Sequence, residues 1–139
     1  MQFGSVGEYL NIVIPIIRNS GGKKVLIVKR KNPIESTDGV FTWHFPGAIV
    51  ERESDHKPVI DFVAQETGYS IKPAQVISSR NNHPLGHRNI YVAFKLASDE
   101  PAENIKPGVV EEFAWVDPQD LGNYFTTNID TGVMEFLNL

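Results

Sequence analysis

A chain of 139 residues, 41% apolar and 22% charged, is long enough to bury a proper core, and one soluble domain over residues 1–139 is expected. A net charge of −4 argues against a nucleic-acid polymer as partner, and the lack of cysteine excludes disulfides and thiolate metal sites. The longest apolar run, Ile12 to Ile17, is broken by Pro15 and too short to span a bilayer. With no basic start or apolar core of a signal peptide, a cytoplasmic protein without membrane attachment is expected.

In chain order, Tyr9 to Arg18 reads as a buried strand, with Pro15 suggesting an edge or bulge. Asn19-Ser20-Gly21-Gly22 is a turn signal, and Lys23 to Lys31 follows as a second strand, so the two predict a hairpin. Asn32 to Val40 reads as a polar loop, Phe41 to Phe45 as a short strand, and Pro46-Gly47 as a tight turn. Ser54 or Asp55 is suited to cap a helix whose first turn contains Pro58, and Gly68 is suited to end it in the left-handed conformation. Val59, Ile60, Val63 and Ala64 form its apolar face, while Phe62, Gln65, Glu66 and Tyr69 share another.

Strand character resumes from Tyr69 to Ser79, and Arg80 to His87 reads as a loop containing His83-Pro84. Arg88 to Ala97 alternates, with Ile90, Val92, Phe94 and Leu96 on one face. A polar loop over 98–108 leads to a strand from Val109 to Val116. Asp117 to Leu121 predicts a capped short helix, and Asn128 to Leu137 a final amphipathic one. Strands flanking one central helix, with another helix at the end, imply a mixed α/β architecture.

The segment from Gly47 to Tyr69 carries the chemistry. It reads Gly47, five residues, Glu53, seven residues, then Asp61-Phe62-Val63-Ala64-Gln65-Glu66-Thr67-Gly68-Tyr69. It resembles the box of the Nudix family, G-x5-E-x7-R-E-U-x-E-E-x-G-U with U a bulky apolar residue. The match holds at both ends and departs in the middle. Asp61-Phe62 stands where the family has Arg-Glu, and Gln65 where it has the first Glu of the pair. The loop also departs from the family's Pro-Gly-Gly-x-x-Glu-x-Gly-Glu, with Ala48 at the second glycine and one residue fewer before Glu53.

The resemblance covers nearly the whole chain and implies an α/β/α sandwich around a mixed sheet. It implies Mg²⁺ or Mn²⁺ as cofactor, held by Glu66 and Glu53 with Glu112 and the carbonyl near Gly47. Glu66 and Glu53 would be the catalytic carboxylates. A hard divalent cation takes several oxygen ligands, and helical spacing can deliver carboxylates to one point. Phe62 can neither bind metal nor relay a proton, and Gln65 offers only a neutral carbonyl. Asp61, Glu111, Glu100 and Glu103 are the acids available as substitutes. Arg30 and Arg88, beside Phe62, are the candidates for holding substrate, with Arg80 and His87 as weaker phosphate contacts. His83-Pro84 reads as a turn.

Two functions follow as expectations. One is a metal-dependent pyrophosphohydrolase of a nucleoside diphosphate linked to another moiety, its activity attenuated or redirected. The other is a nucleotide-binding or interaction module on the same scaffold with hydrolysis lost. In either case the resemblance points to a small nucleotide or nucleotide derivative as partner and leaves room for a homodimer.

Overall fold

The computed structural model describes residues 10–36, 39–82 and 86–139. Its sheet contains β1 (Leu10–Arg18), β2 (Val25–Ser36), β3 (Gly39–His44), β4 (Ala48–Val50), β5 (Ile71–Asn82), β6 (His87–Leu96) and β7 (Val110–Val116). Helix α1 (Lys57–Thr67) lies between β4 and β5, and a 3₁₀ helix (Pro118–Asn123) and α2 (Thr131–Phe136) follow β7. The strand order is β3-β2-β1-β6-β5, with β4 added to β1 and β7 to β2. β1 and β6 run parallel, and the other pairs are antiparallel. The mixed sheet expected from the sequence is therefore present.

β1 and β2 touch through the single pair Arg18↔Val25, across a turn closed by Gly22 N–H donating to the Asn19 carbonyl at 2.8 Å. Gly22 takes φ +69° there, a conformation that favours glycine. Lower on the same edge, Asn11 to Val13 pair with β4. Between Val13 and Arg18 that edge pairs with no strand among the described residues, and Pro15, which has no N–H to donate, occupies the gap. Pro15 is buried inside a strand paired along its whole other edge with β6. The proline thus marks a break in one edge, not the edge of the sheet.

Three expectations are corrected. Residues 32–40 are not one polar loop: β2 extends to Ser36 and β3 begins at Gly39, paired across a register shift after Lys29. The 80–87 segment is mostly strand, with β5 continuing through Asn82 and β6 beginning at His87, and His83-Pro84 lies outside the described residues. The segment between Gly47 and α1 is not all loop: it contains a short strand, β4.

Strand alternation sends side chains to two cores. Val13, Ile17, Leu26, Ile90, Val92 and Phe94 pack with Val59 and Val63 of α1. On the other face Ile16, Val25, Ile27 and Val116 pack with Leu121, Val133 and Leu137. Burying each such aliphatic side chain contributes about 1.5–3 kcal/mol, which outweighs the helix propensity of segments this short.

The final helix is shorter than predicted because Asp130 caps its start, so residues 128–130 lie outside it. The Asp130 carboxylate accepts from Val133 N–H at 3.2 Å and from the Ser78 hydroxyl at 2.8 Å, with Arg80 Nε 3.7 Å away. It caps α2 and ties that helix to β5. Asp130→Ala is expected to lower stability by about 2 kcal/mol, measured by urea denaturation, because a buried cap and the Ser78 bond are lost together. A loss within experimental error would show that the contact carries no load.

Candidate active site

Helix α1 starts without a side-chain hydrogen bond from its N-cap, His56; Asp55 Oδ1 accepts from Lys57 N–H at 3.2 Å instead. Pro58 stands in the first turn, where its missing N–H costs no intrahelical bond. At the other end Gly68 takes φ +85° and donates its N–H to the Ala64 carbonyl, the left-handed cap expected from the sequence. Asp61 points to solvent and pairs with Lys57 Nζ at 2.6 Å, one turn back. Such exposed pairs contribute little, and this one holds Asp61 away from the rest of the box.

Glu66 is the buried acid of the site, 2% exposed. Its Oε1 accepts the N–H groups of Val109 and Val110, both at 2.8 Å, and Oε2 accepts that of Gly108 at 2.9 Å. Gln65 Nε2 also reaches Oε2, at 3.4 Å. Burial alone would raise the carboxyl pKa. The three backbone donors, together with the Lys31 charge, outweigh burial and hold it below the ordinary value. Lys31 is placed by its own bond from Nζ to the Pro107 carbonyl, 3.1 Å. Glu66 therefore fastens the end of α1 to the entry of β7, and no short-range pattern announces this, because the donors lie more than forty positions away.

The remaining acids are dispersed. Glu53, in the loop before α1, pairs with Arg88 of β6. Glu111 and Glu112, both exposed, flank the half-buried Lys29 at Nζ distances of 3.2 and 3.7 Å. Lys29 and Glu112 are register partners on the face of Ala114, while Phe113 and Trp115 face α1, so strand alternation turns Glu112 away from Glu66. Glu100 and Glu103 are exposed in the segment after β6. Gly47 lies against β1 without a left-handed φ, and a Cβ there would make ordinary contacts at 3.5 Å or more. Among the described residues no group of three His, Asp or Glu side chains is placed to hold a metal ion.

The expected substrate contacts separate in the same way. Phe62 packs against the core beneath α1. Arg88 is half-buried and engaged with Glu53. Arg80 faces Asp130, and His87 opens β6. Arg30 is also half-buried, and its Nε has no hydrogen-bond partner among the described residues. Beside it stands His44, which no local pattern singles out. Burial lowers the His44 pKa; the Nδ1 bond to the Phe45 carbonyl at 2.6 Å opposes this, and the Arg30 charge adds to the lowering. His44 is therefore neutral at pH 7, and Arg30 joins no ion pair with a carboxylate among the described residues.

The NUDIX domain model matches residues 9–135, nearly the whole chain. The chain belongs to the NUDIX domain family. Solved structures agree on the NUDIX fold. A NUDIX hydrolase from Nitrosomonas europaea is similar at 18% identity and TM-score 0.62, covering 94% of this chain and 87% of that one. The MutT protein of Methanosarcina mazei Go1 is similar at 22% identity and TM-score 0.61, covering 94% and 91%. A UDP-X diphosphatase is similar at 17% identity and TM-score 0.66, covering 99% of this chain and 63% of that one. No curated protein matches by sequence. No helix among the described residues is long and apolar enough to cross a membrane.

NUDIX enzymes act on small nucleotide derivatives and generally use divalent metal ions. The donors of this NUDIX chain do not fit such an ion. A carboxylate has about four lone-pair sites, and those of Glu66 already face three backbone donors and one amide. Its helix neighbours on the same face are Phe62 and Gln65.

Proposed function

We infer that this protein holds a small nucleotide derivative on the NUDIX scaffold and has lost the family's metal-assisted pyrophosphate hydrolysis. The observation that carries this reading is the engagement of Glu66. Drawing its carboxylate to a cation would break charge-assisted bonds from Gly108, Val109 and Val110, each worth about 1.5–3 kcal/mol. The other carboxylate of α1, Asp61, is paired with Lys57 at the solvent side and does not offset that loss. Removing one electrostatic stabiliser already costs about 10²–10³ in rate. Arg30, half-buried beside a neutral imidazole, remains available to hold a phosphate.

The test is product release from nucleoside triphosphates, dinucleoside polyphosphates and nucleotide sugars, with Mg²⁺ and with Mn²⁺. Alongside it, melting is followed with the same compounds in EDTA. The expected result is no metal-dependent turnover, with a rise in melting temperature for at least one compound that is lost in Arg30→Gln. Metal-dependent turnover would overturn the inference and restore the hydrolase reading. Glu66→Gln is unsuited as an inactive control, because it breaks a structural attachment whether or not the residue has a catalytic role.

A further inference from the structure

On the sheet face opposite α1, three cations stand side by side. Arg18 of β1 is the register partner of Lys95 of β6, and Lys95 is the register partner of Lys72 of β5. Register partners share a face, and strands lie about 4.8 Å apart, so the row spans about 10 Å. Arg18 and Lys95 fall on the side of Ile16 and Tyr91, facing α2. Like charges placed directly opposite in a sheet are destabilising. No carboxylate offsets this row: Arg18, Lys72 and Lys95 join no ion pair among the described residues.

The row borders a groove of about 520 Å³, within the size range of small-ligand sites. Its wall includes Asn19, Ser20 and Gly22 of the β1–β2 turn, and among the described residues no Asp or Glu lines it. Arg18 is oriented there by its Nη2, which donates to the Phe136 carbonyl at 2.8 Å, and by the stacking of its guanidinium 4.2 Å from the Phe136 ring centre. The sequence from Tyr9 to Ile34 holds no acidic residue, although the whole chain carries −4. A cationic row without carboxylates, in an acidic protein and beside a groove, is a recognition feature for a multiply charged anion.

We propose that the Arg18–Lys95–Lys72 row is a binding site for a short polyphosphate chain, separate from the α1 site. Two or three linked phosphates match the length of the row, and the hydroxyl of Ser20 and the amide of Asn19 supply donors at its end. The repulsion between Lys95 and Lys72 is relieved when the anion binds.

The test is calorimetric titration of the full chain with inorganic tripolyphosphate, without divalent metal and at low ionic strength. Saturable binding is expected, weakened at least tenfold in Lys95→Gln and in Lys72→Gln and unchanged in Lys106→Gln. Amide chemical shifts should move at Asn19, Ser20 and Gly22. Unliganded Lys95→Gln should melt higher than the wild type, which a merely structural lysine would not produce. A nucleoside triphosphate run in parallel separates the two sources of such a chain: shifts at the same amides identify a nucleotide held by its phosphates, and shifts with the inorganic anion alone identify free polyphosphate. Absence of saturable binding, binding unaffected by Lys95→Gln and Lys72→Gln, or shifts at Gly108 to Val110 in place of the turn would overturn the proposal. The shift positions keep failure here distinct from failure at the α1 site.

Discussion

Glu66→Ala is expected to destabilise the protein by about 4 kcal/mol, because it leaves the N–H groups of Gly108, Val109 and Val110 without their charged acceptor. For a domain of this size that is a fall of on the order of 15 °C in melting temperature. Glu66→Gln keeps one acceptor oxygen but turns an NH2 toward N–H donors, so about half the effect is expected. The pH dependence has a definite sign. Since the folded carboxyl titrates below 4.5, the unfolded chain takes up protons first as the solution is acidified. The Glu66 contribution is fully present above pH 4.5 and is lost as pH falls through the depressed folded value. The stability gap between wild type and Glu66→Gln should therefore narrow below pH 4.5, as measured by denaturant titration at several pH values. A gap below 1 kcal/mol at pH 7 would mean that water replaces the carboxylate without loss, and the attachment would not be structural.

Gly68→Ala is expected to cost about 3 kcal/mol, through two effects that add. The residue holds φ +85°, where a side chain costs about 1–2 kcal/mol. A Cβ there would also come within 2.7 Å of the Ala102 carbonyl oxygen and 3.1 Å of its nitrogen. Both atoms are backbone, and Ala102 N–H donates to the Gly68 carbonyl at 2.8 Å, so the neighbour cannot rotate away without breaking that bond. Hydrogen exchange offers the sharper check. Amides at Ala102 and at Gly108 to Val110 should lose protection in both variants, because Gly68 and Glu66 hold the two ends of one segment against α1. Loss confined to the α1 amides would show that the segment is held by other contacts.

These two positions also bear on the proposed loss of hydrolysis. In a hydrolase of this family the end of the box helix must present carboxylates to a cation; here the same end is committed to its neighbour in the fold. The helix is well packed through Val59 and Val63, and its cap is the one the family pattern implies. What differs from the family box is what its polar face touches. Phe62 has joined the core margin, Gln65 sits against Glu66, and Glu66 serves the backbone of β7's entry.

Much of the frame was legible in the sequence. Alternation placed Ile90, Val92 and Phe94 on one face of β6, the i, i+4 spacing of Val59 and Val63 defined the buried side of α1, and Gly68 marked the helix end. These features are local, since each depends on residues within a turn or a strand of one another. The box departures at Phe62 and Gln65 were legible for the same reason, as residue types incapable of the family's chemistry. Pairing across the chain was not legible. The partners of Glu66 lie 42 to 44 residues later, and backbone N–H groups carry no side-chain signature that could name them. Glu112 stood at a plausible position until the strand register turned it toward Lys29. Arg18, Lys72 and Lys95 became neighbours only through the β1–β6–β5 pairing. Local periodicity determined the strands and the buried face of α1, and the box resemblance pointed to the family; the tertiary structure decided which charges meet, because sheet register joins positions that no local pattern relates.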